Sequence, residues 1–346
     1  MRANIDDVAK KAGVSISTVS RVLNGKVKVS EKFKESVLAA ASELEYNPSQ
    51  AARTLALKKS NLIGIIIPDV SNSFYSKMLS AIEDEASLHG YRIILCCIQE
   101  NIEKEIKYVR LLKQMYVDGL LLMHEKGNDK SKEVLNNCDF PIVQASVFIE
   151  GLNNSVSLNV NDHKASYEAV KYLIDRGHRK IAMITGDMVD RTSGQLRYEG
   201  YLEALSDNDI ILNPDFVKQG NYTYDIGYEC MKELLSRKVI PSAVFAACDE
   251  MAIGAESAAM DLGYLVPQDI SVVGFDNIEL SKMVRPSLTT VAQSANLIGR
   301  LAIKSIINSN GSKKNYLKID DKVFTINNNR VDTPYKLIER NSVTTI

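Results

Sequence analysis

Residues 5–23 read IDDVAKKAGVSISTVSRVL and decide how the rest of the chain is to be understood. Ile5, Val8, Ala9 and Ala12 recur at helical spacing, which predicts one helix. Gly13 then supplies a residue able to turn with positive φ. Ser15 or Ser17 can cap a second helix by accepting a backbone N–H. That helix keeps Val19, Val22 and Leu23 inward and turns Ile16, Ser17, Ser20 and Arg21 outward. Two helices joined by a tight turn, with polar and basic groups near the amino end of the second, predict a helix-turn-helix. Arg21 can donate two hydrogen bonds to a guanine edge, and Ile16 can touch a thymine methyl. Ser15, Thr18 and Asn24 suit phosphates, which fix position but carry no sequence information. A third helix, from about Glu31 to Leu44, should pack on the pair through Val37, Leu38, Ala41 and Leu44.

Charge separates this head from the remainder of the chain. Residues 1–60 hold eleven Lys and Arg against six Asp and Glu, a net of about +5, whereas the whole chain carries −1. A basic head on a mildly acidic body predicts a nucleic-acid-binding module attached to something else.

With the helix-turn-helix, the charge split and the segment Tyr46-Asn47-Pro48-Ser49-Gln50-Ala51-Ala52-Arg53-Thr54-Leu55, the chain resembles the lactose-repressor (LacI/GalR) family of bacterial regulators. The resemblance runs from end to end. It implies that Pro48–Leu57 is a hinge helix that folds when two subunits meet over DNA. It also implies that Leu55 wedges into the minor groove at the operator centre, where a kinked base step is offset by added contacts. Ala52 is small enough for two such helices to approach closely, and Arg53 reaches phosphate or groove. Ser49 and Gln50 depart from the Asn-Ala usual there.

The 346 residues exceed one ordinary domain, and 45% hydrophobic content is ample for a packed core. No basic-then-apolar leader and no run of eighteen apolar residues occurs, so a cytoplasmic protein with no membrane partner is expected. Cys96, Cys97, Cys138, Cys230 and Cys248 lack metal-type spacing and read as reduced. Neither a phosphate loop nor a placed GxGxxG occurs, and no nucleophile–base set converges, so neither an enzyme nor a cofactor is expected. A periplasmic receptor would share the body but need an export signal and no DNA head.

From residue 61 onward, strand-like runs alternate with helical periodicity. The runs are 62–68, 91–98, 118–123 and 141–146, followed by 180–186, 242–247 and 269–276; Phe74–His89, Ile102–Met115 and Ser166–Arg176 have helical spacing. The predicted fold is α/β: an all-α helix-turn-helix head on a periplasmic-binding-protein-like body of two doubly wound parallel-sheet subdomains. The expected divisions are 1–46 for the head, 47–60 for hinge and linker, and 61–340 for effector binding and dimerisation. The subdomains would take about 61–161 with 291–323, and 162–290 with 324–340. In the family the chain crosses between lobes three times, which places the crossings near Asn161, Val291 and Phe324.

A ligand should sit between the lobes at the carboxyl ends of the strands. The resemblance assigns it Phe74 and Tyr75, either of which can instead belong to an aromatic helix-capping core. It further assigns Arg191 and Ser193, on a loop one residue longer than in some relatives, Arg197 three residues before Gly200, Tyr222, Cys248 and Asp276. Cys248 stands where many relatives have Asn, while Asp249 beside it suits a structural role. An arginine and an aspartate facing one pocket suit a sugar or sugar phosphate. IIPDVSNSFY, QGNYTYDIG and FDNIELSKMVRPSLTTVAQ are similar to the catabolite-control branch of the family, which is switched by a serine-phosphorylated phosphocarrier protein (HPr). Lys304 and Asn308 match that branch's basic pair, and losing one charge weakens phosphate recognition. The reading favours a homodimeric, sugar-responsive repressor, with HPr control as the alternative.

Overall fold

The computed structural model describes residues 3–23, 29–46, 59–99, 101–311 and 314–346. The chain divides into two units, residues 1–60 and 61–346. Asn24, Asn47 to Lys58 and with them the expected hinge residues Ala52, Arg53 and Leu55 lie outside the described residues.

In the first unit, α1 (Ile5–Ala12) and α2 (Ile16–Leu23) form the helical pair. Asn4 and Asp7 bond each other's backbone N–H groups in a capping box at the start of α1. Gly13 closes it at φ 67°, the left-handed turn foreseen for this position. Ser15 caps α2, its hydroxyl accepting the Thr18 N–H at 3.3 Å. The third helix, α3 (Glu31–Glu43), completes a small core of Val8, Ala9, Val19, Val37, Ala40 and Ala41. Leu38 was expected in that core but is 48% exposed, because Val37, Ala40 and Ala41 already make the inward stripe and Leu38 falls beside it.

The second unit has two lobes. The first lobe holds β1 (Leu62–Ile67), α4 (Ser73–Leu88), β2 (Arg92–Cys97), α5 (Ile102–Gln114), β3 (Gly119–Leu122), α6 (Asp129–Asn136), β4 (Ile142–Ala145) and β5 (Ser155–Asn159). The second holds α7 (Asp162–Asp175), β6 (Ile181–Thr185), a π-turn at Arg191–Leu196, α8 (Arg197–Ser206), β7 (Val217–Gln219), α9 (Tyr224–Leu235), β8 (Ala243–Ala246), α10 (Asp249–Asp261), β9 (Ser271–Asp276), α11 (Leu280–Met283) and β10 (Thr289–Gln293). The chain then returns through α12 (Ala295–Asn310), a hairpin of β11 (Tyr316–Ile319) and β12 (Lys322–Thr325), β13 (Arg330–Asp332) and β14 (Tyr335–Ile338).

The first sheet runs β13-β5-β4-β3-β1-β2, parallel throughout, and the second β14-β10-β9-β8-β6-β7, parallel except for antiparallel β14. Central strands such as LIGIII, GLLL and AVFA are apolar on both faces, as helix-covered parallel strands must be. Strand order reverses between β1 and β3 in one sheet and between β6 and β8 in the other. Those switch points leave crevices at the strand carboxyl ends.

The chain changes sheet after Asn159, after Gln293 and between Asp332 and Tyr335. The first change falls beside Asn161. The second follows Val291, which lies inside β10, by a few residues. The third does not fall at Phe324: that residue belongs to the β11–β12 hairpin, and the chain gives β13 to the first sheet before leaving. β5, β7 and β10 to β14 were not foreseen as strands. In β5, Ser155, Ser157 and Asn159 are buried polar residues, and Asn159 donates to Val147 O at 3.1 Å, so the strand has no apolar run to announce it. Helix α7 starts about a turn before Ser166 because Asn161 caps it through Lys164 N.

Candidate functional site

On the helix-turn-helix, Ile16 is 47% exposed and Ser15, Ser17 and Arg21 are also exposed, whereas Val19 is buried. The Ser15 hydroxyl lies 2.8 Å from that of Ser17 and 2.9 Å from that of Thr18. This presents hydroxyls, one branched apolar group and one guanidinium from a single amino-terminal turn and a half. Ser20 is half-buried on the same helix.

In the body, a cavity of about 410 Å³ lies between the lobes. That is the size of a small-molecule site. The loops at both switch points feed it: Asp69–Asn72 after β1 and His124–Lys126 after β3, facing Asp190 after β6 and Cys248 after β8.

Seven of the eight residues expected at an effector reach this cavity, among them Phe74, Tyr75, Ser193, Arg197, Tyr222 and Asp276. Cys248 joins them, but its thiol caps α10 through Met251 N at 3.5 Å and is 4% exposed. Arg191 does not line the cavity. Its guanidinium pairs with Glu199 at 2.6 Å and Gln195 at 3.2 Å. The π-turn at 191–196 accommodates an extra residue per turn, and Thr192 within it is buried.

Arg197 is 3% exposed and firmly held. Its Nε donates to Asp162 Oδ1 at 2.9 Å, its Cζ stacks 3.5 Å from the centre of the Phe275 ring, and Asp276 Oδ1 lies 3.8 Å from Nη1. Burial works against its charge, and Asp162 and Asp276 outweigh it. Asp276 accepts Gln293 Nε2 at 2.6 Å, and burial pushes its carboxyl up to about 7 despite Arg197. Tyr222 OH donates to Asp190 Oδ2 at 2.7 Å and meets the Ser193 hydroxyl at 2.8 Å. Burial lifts that phenol well above its ordinary value. A Cβ on Gly186 would fall on the Tyr222 ring, so glycine is required there for the close approach. Tyr222 and Asp276 adopt φ 69° and 114°, strained backbone of the kind that clusters at ligand sites.

Several partners were not singled out from the sequence. Glu125 accepts Thr192 N at 3.0 Å and Thr192 Oγ1 at 2.6 Å from the opposite lobe, and burial raises it to about 7. Lys126 pairs with Asp187 at 2.9 Å, and Glu250 Oε1 accepts Ser73 N at 3.2 Å, each again lobe to lobe. His124 lines the cavity; burial lowers it to about 4, and Glu105 stands 3.6 Å away. The loop after β3 was the detectable signal, since a switch point exposes two strand ends and only the loop after β1 was read. Asp249 has the structural role expected of it, accepting Ile278 N at 2.8 Å and the Thr290 hydroxyl.

Elsewhere, Lys304 sits 3.0 Å from Glu85 Oε1 and 2.7 Å from His89 Nε2, and the Asn308 side chain bridges to Lys314. The five cysteines are unpaired as disulfides. Among the described residues, no His/Cys/Asp/Glu group could hold a metal, and no helix is long and apolar enough to cross a membrane.

Residues 4–49 match the signature of bacterial regulatory proteins of the lacI family, and residues 170–343 that of a periplasmic binding protein-like domain. The chain is 38% identical over 304 residues to catabolite control protein A of Priestia megaterium, covering 88% of this chain and 91% of that protein. It is also 38% identical over 303 residues to the HTH-type transcriptional repressor PurR of Pasteurella multocida (strain Pm70), covering 87% and 90%. The lac repressor dimer bound to operator and the anti-inducer ONPF superposes with a TM-score of 0.84 at 29% identity, over 99% of this chain and 100% of that one. A complex of the transcriptional regulator CelR with cellobiose gives 0.72 at 27% identity, over 99% and 100%. An exposed recognition helix, two crossed-over lobes around a cavity and these relatives agree: the chain belongs to the lacI family of DNA-binding, ligand-controlled transcriptional regulators.

Proposed function

We propose that the chain is a repressor whose dimer binds a two-fold operator and whose cleft binds a sugar. The observation that carries the ligand class is the cavity wall. Phe74, Tyr75 and Tyr222 offer aromatic faces, and Asp190, Ser193 and Asp276 offer hydrogen-bonding groups within the same 410 Å³. Aromatic faces suit the C–H face of a sugar ring, and converging carboxylates accept its hydroxyls. Ligand held by both lobes shifts their orientation and so the ease with which the hinge segment folds on DNA. A ten- to hundredfold change in operator affinity needs only about 1.4–2.7 kcal/mol of coupling. The direction of the effect follows from which lobe orientation the ligand prefers.

Control by serine-phosphorylated HPr has less support. Lys304 already faces Glu85 and His89, and the position of the second cation holds a neutral Asn308, whose amide is engaged by the Lys314 backbone. The test is operator affinity of the full-length protein on DNA selected from a random pool, titrated with mono- and disaccharides and with phosphorylated HPr. A sugar-dependent shift in Kd is the expected result. A response to HPr alone would replace the sugar reading.

A further inference from the structure

Acidic groups outnumber basic ones at the cleft. Asp69, Glu125, Asp190, Glu250 and Asp276 line it, against Lys126 and Arg197. Both cations are matched by carboxylates that stand outside the cavity lining. Lys126 Nζ lies 2.9 Å from Asp187, and Arg197 donates to Asp162 at 2.9 Å. The remaining basic side chain of the lining, His124, is held neutral by burial.

The helix dipole offers no relief either. A helix amino end is a ready anion site, and that of α4 opens on the cleft. Here it is filled from within the protein: Glu250 accepts Ser73 N at 3.2 Å, and Asn72 Oδ1 accepts the N–H groups of Phe74 and Tyr75 at 3.0 and 3.2 Å. An incoming phosphate would find these donors occupied, one by a carboxylate, and other carboxylates around it. Crowding of like charge has left its mark on the lining: besides burial, Asp190 pushes Glu125 upward and Glu250 pushes Asp276 upward.

Resting on the sugar reading, we infer that the cleft takes only polyhydroxylated ligands without negative charge, neutral sugars and amine-bearing sugars, and excludes their phosphate esters. An ammonium group would meet Glu125, Asp190, Glu250 or Asp276 as partners, whereas neutral hydroxyls use the same carboxylates as acceptors.

The experiment is calorimetry on the full-length protein with matched pairs, each sugar and amino sugar against its phosphate ester, and with inorganic phosphate alone. Operator binding is measured on the same preparation. At least one unphosphorylated compound should bind, with its ester at least a hundredfold weaker and inorganic phosphate silent. In Glu250→Ala, which removes one charge and uncovers the amino end of α4, that ratio should shrink at least tenfold. A phosphate ester or inorganic phosphate that binds wild type as well as the neutral parent overturns the charge inference, and leaves the sugar reading standing. Binding by no compound, with operator binding intact, overturns both. A Glu250→Ala protein with unchanged discrimination overturns the assignment to this carboxylate and helix end.

Discussion

Glu125 and Thr192 join the two lobes through a carboxylate that takes both the amide and the hydroxyl of one threonine, at 3.0 and 2.6 Å. The contact ties the lobes together beside the cavity, which Glu125 also lines. Thr192→Val keeps the shape and the amide but removes the hydroxyl donor. Losing that donor to a half-buried carboxylate should weaken the contact by about 1 kcal/mol. Small-angle scattering of the unliganded protein is expected to show a larger radius of gyration; an unchanged curve would mean that the contact does not hold the lobes.

Glu256 gives a pH prediction with a definite sign. It is 2% exposed with Oε1 unpartnered, and burial pushes its carboxyl from 4.5 up to about 8. The folded protein therefore holds more protons than the unfolded chain between about pH 4.5 and 8. Its contribution to stability is fully present below that window and is lost as pH rises through it. Glu256→Gln should match wild type at about pH 5 and exceed it at about pH 9, by on the order of 2–4 kcal/mol in urea unfolding. A variant less stable at high pH would reverse the sign and the reasoning with it.

Arg197 is as much a structural residue as a binding one. Arg197→Ala leaves Asp162 buried without its cation, which typically costs about 3–5 kcal/mol. Loss of ligand response in that variant alone would not separate binding from folding. Ser193→Ala makes the cleaner test, since it removes one hydroxyl from the cavity and from Tyr222. Stability should fall by no more than about 1 kcal/mol, while ligand affinity should drop roughly five- to tenfold. Equal ligand affinity in Ser193→Ala would remove Ser193 from the ligand contacts.

On the DNA side, Arg21 is exposed on α2, and we propose that it reads a base. Arg21→Ala should weaken operator binding by about 1–3 kcal/mol and relax preference at one base pair in each half-site. A loss that is uniform over all sequences would instead make it a phosphate contact. Leu55→Ala should likewise weaken specific binding while sparing non-specific binding, if the hinge leucine acts as a wedge.

The helical head was legible because its signals are local. Gly13 turns where a turn was required, and the 5, 8, 9, 12 spacing gives one helix. The apolar parallel strands were equally plain, since burial on both faces writes them as continuous runs. β5 was hidden by its own chemistry: Ser155, Ser157 and Asn159 are polar and buried, and each bonds to a tertiary partner that a sequence window does not contain. The cavity was found where motif and strand end coincided, at Phe74, Arg197 and Asp276, and missed where only topology brings residues together. Glu125, Glu250 and Asp162 each act on a group between about 35 and 177 positions away. Arg191 lies off the cavity lining, paired with Glu199 in a π-turn that spacing does not reveal.

The late positions of β13 and β14 bear on how the chain is made. They are the outer strands of the two sheets, and they lie within nine residues of each other near the carboxyl terminus. As the polypeptide leaves the ribosome, the head at residues 5–43 is complete almost at once. Neither sheet has its outer strand until residues 330–338 have emerged, and then both gain it together. The three helices of the head can thus form in a nascent chain long before either sheet has its outer strand.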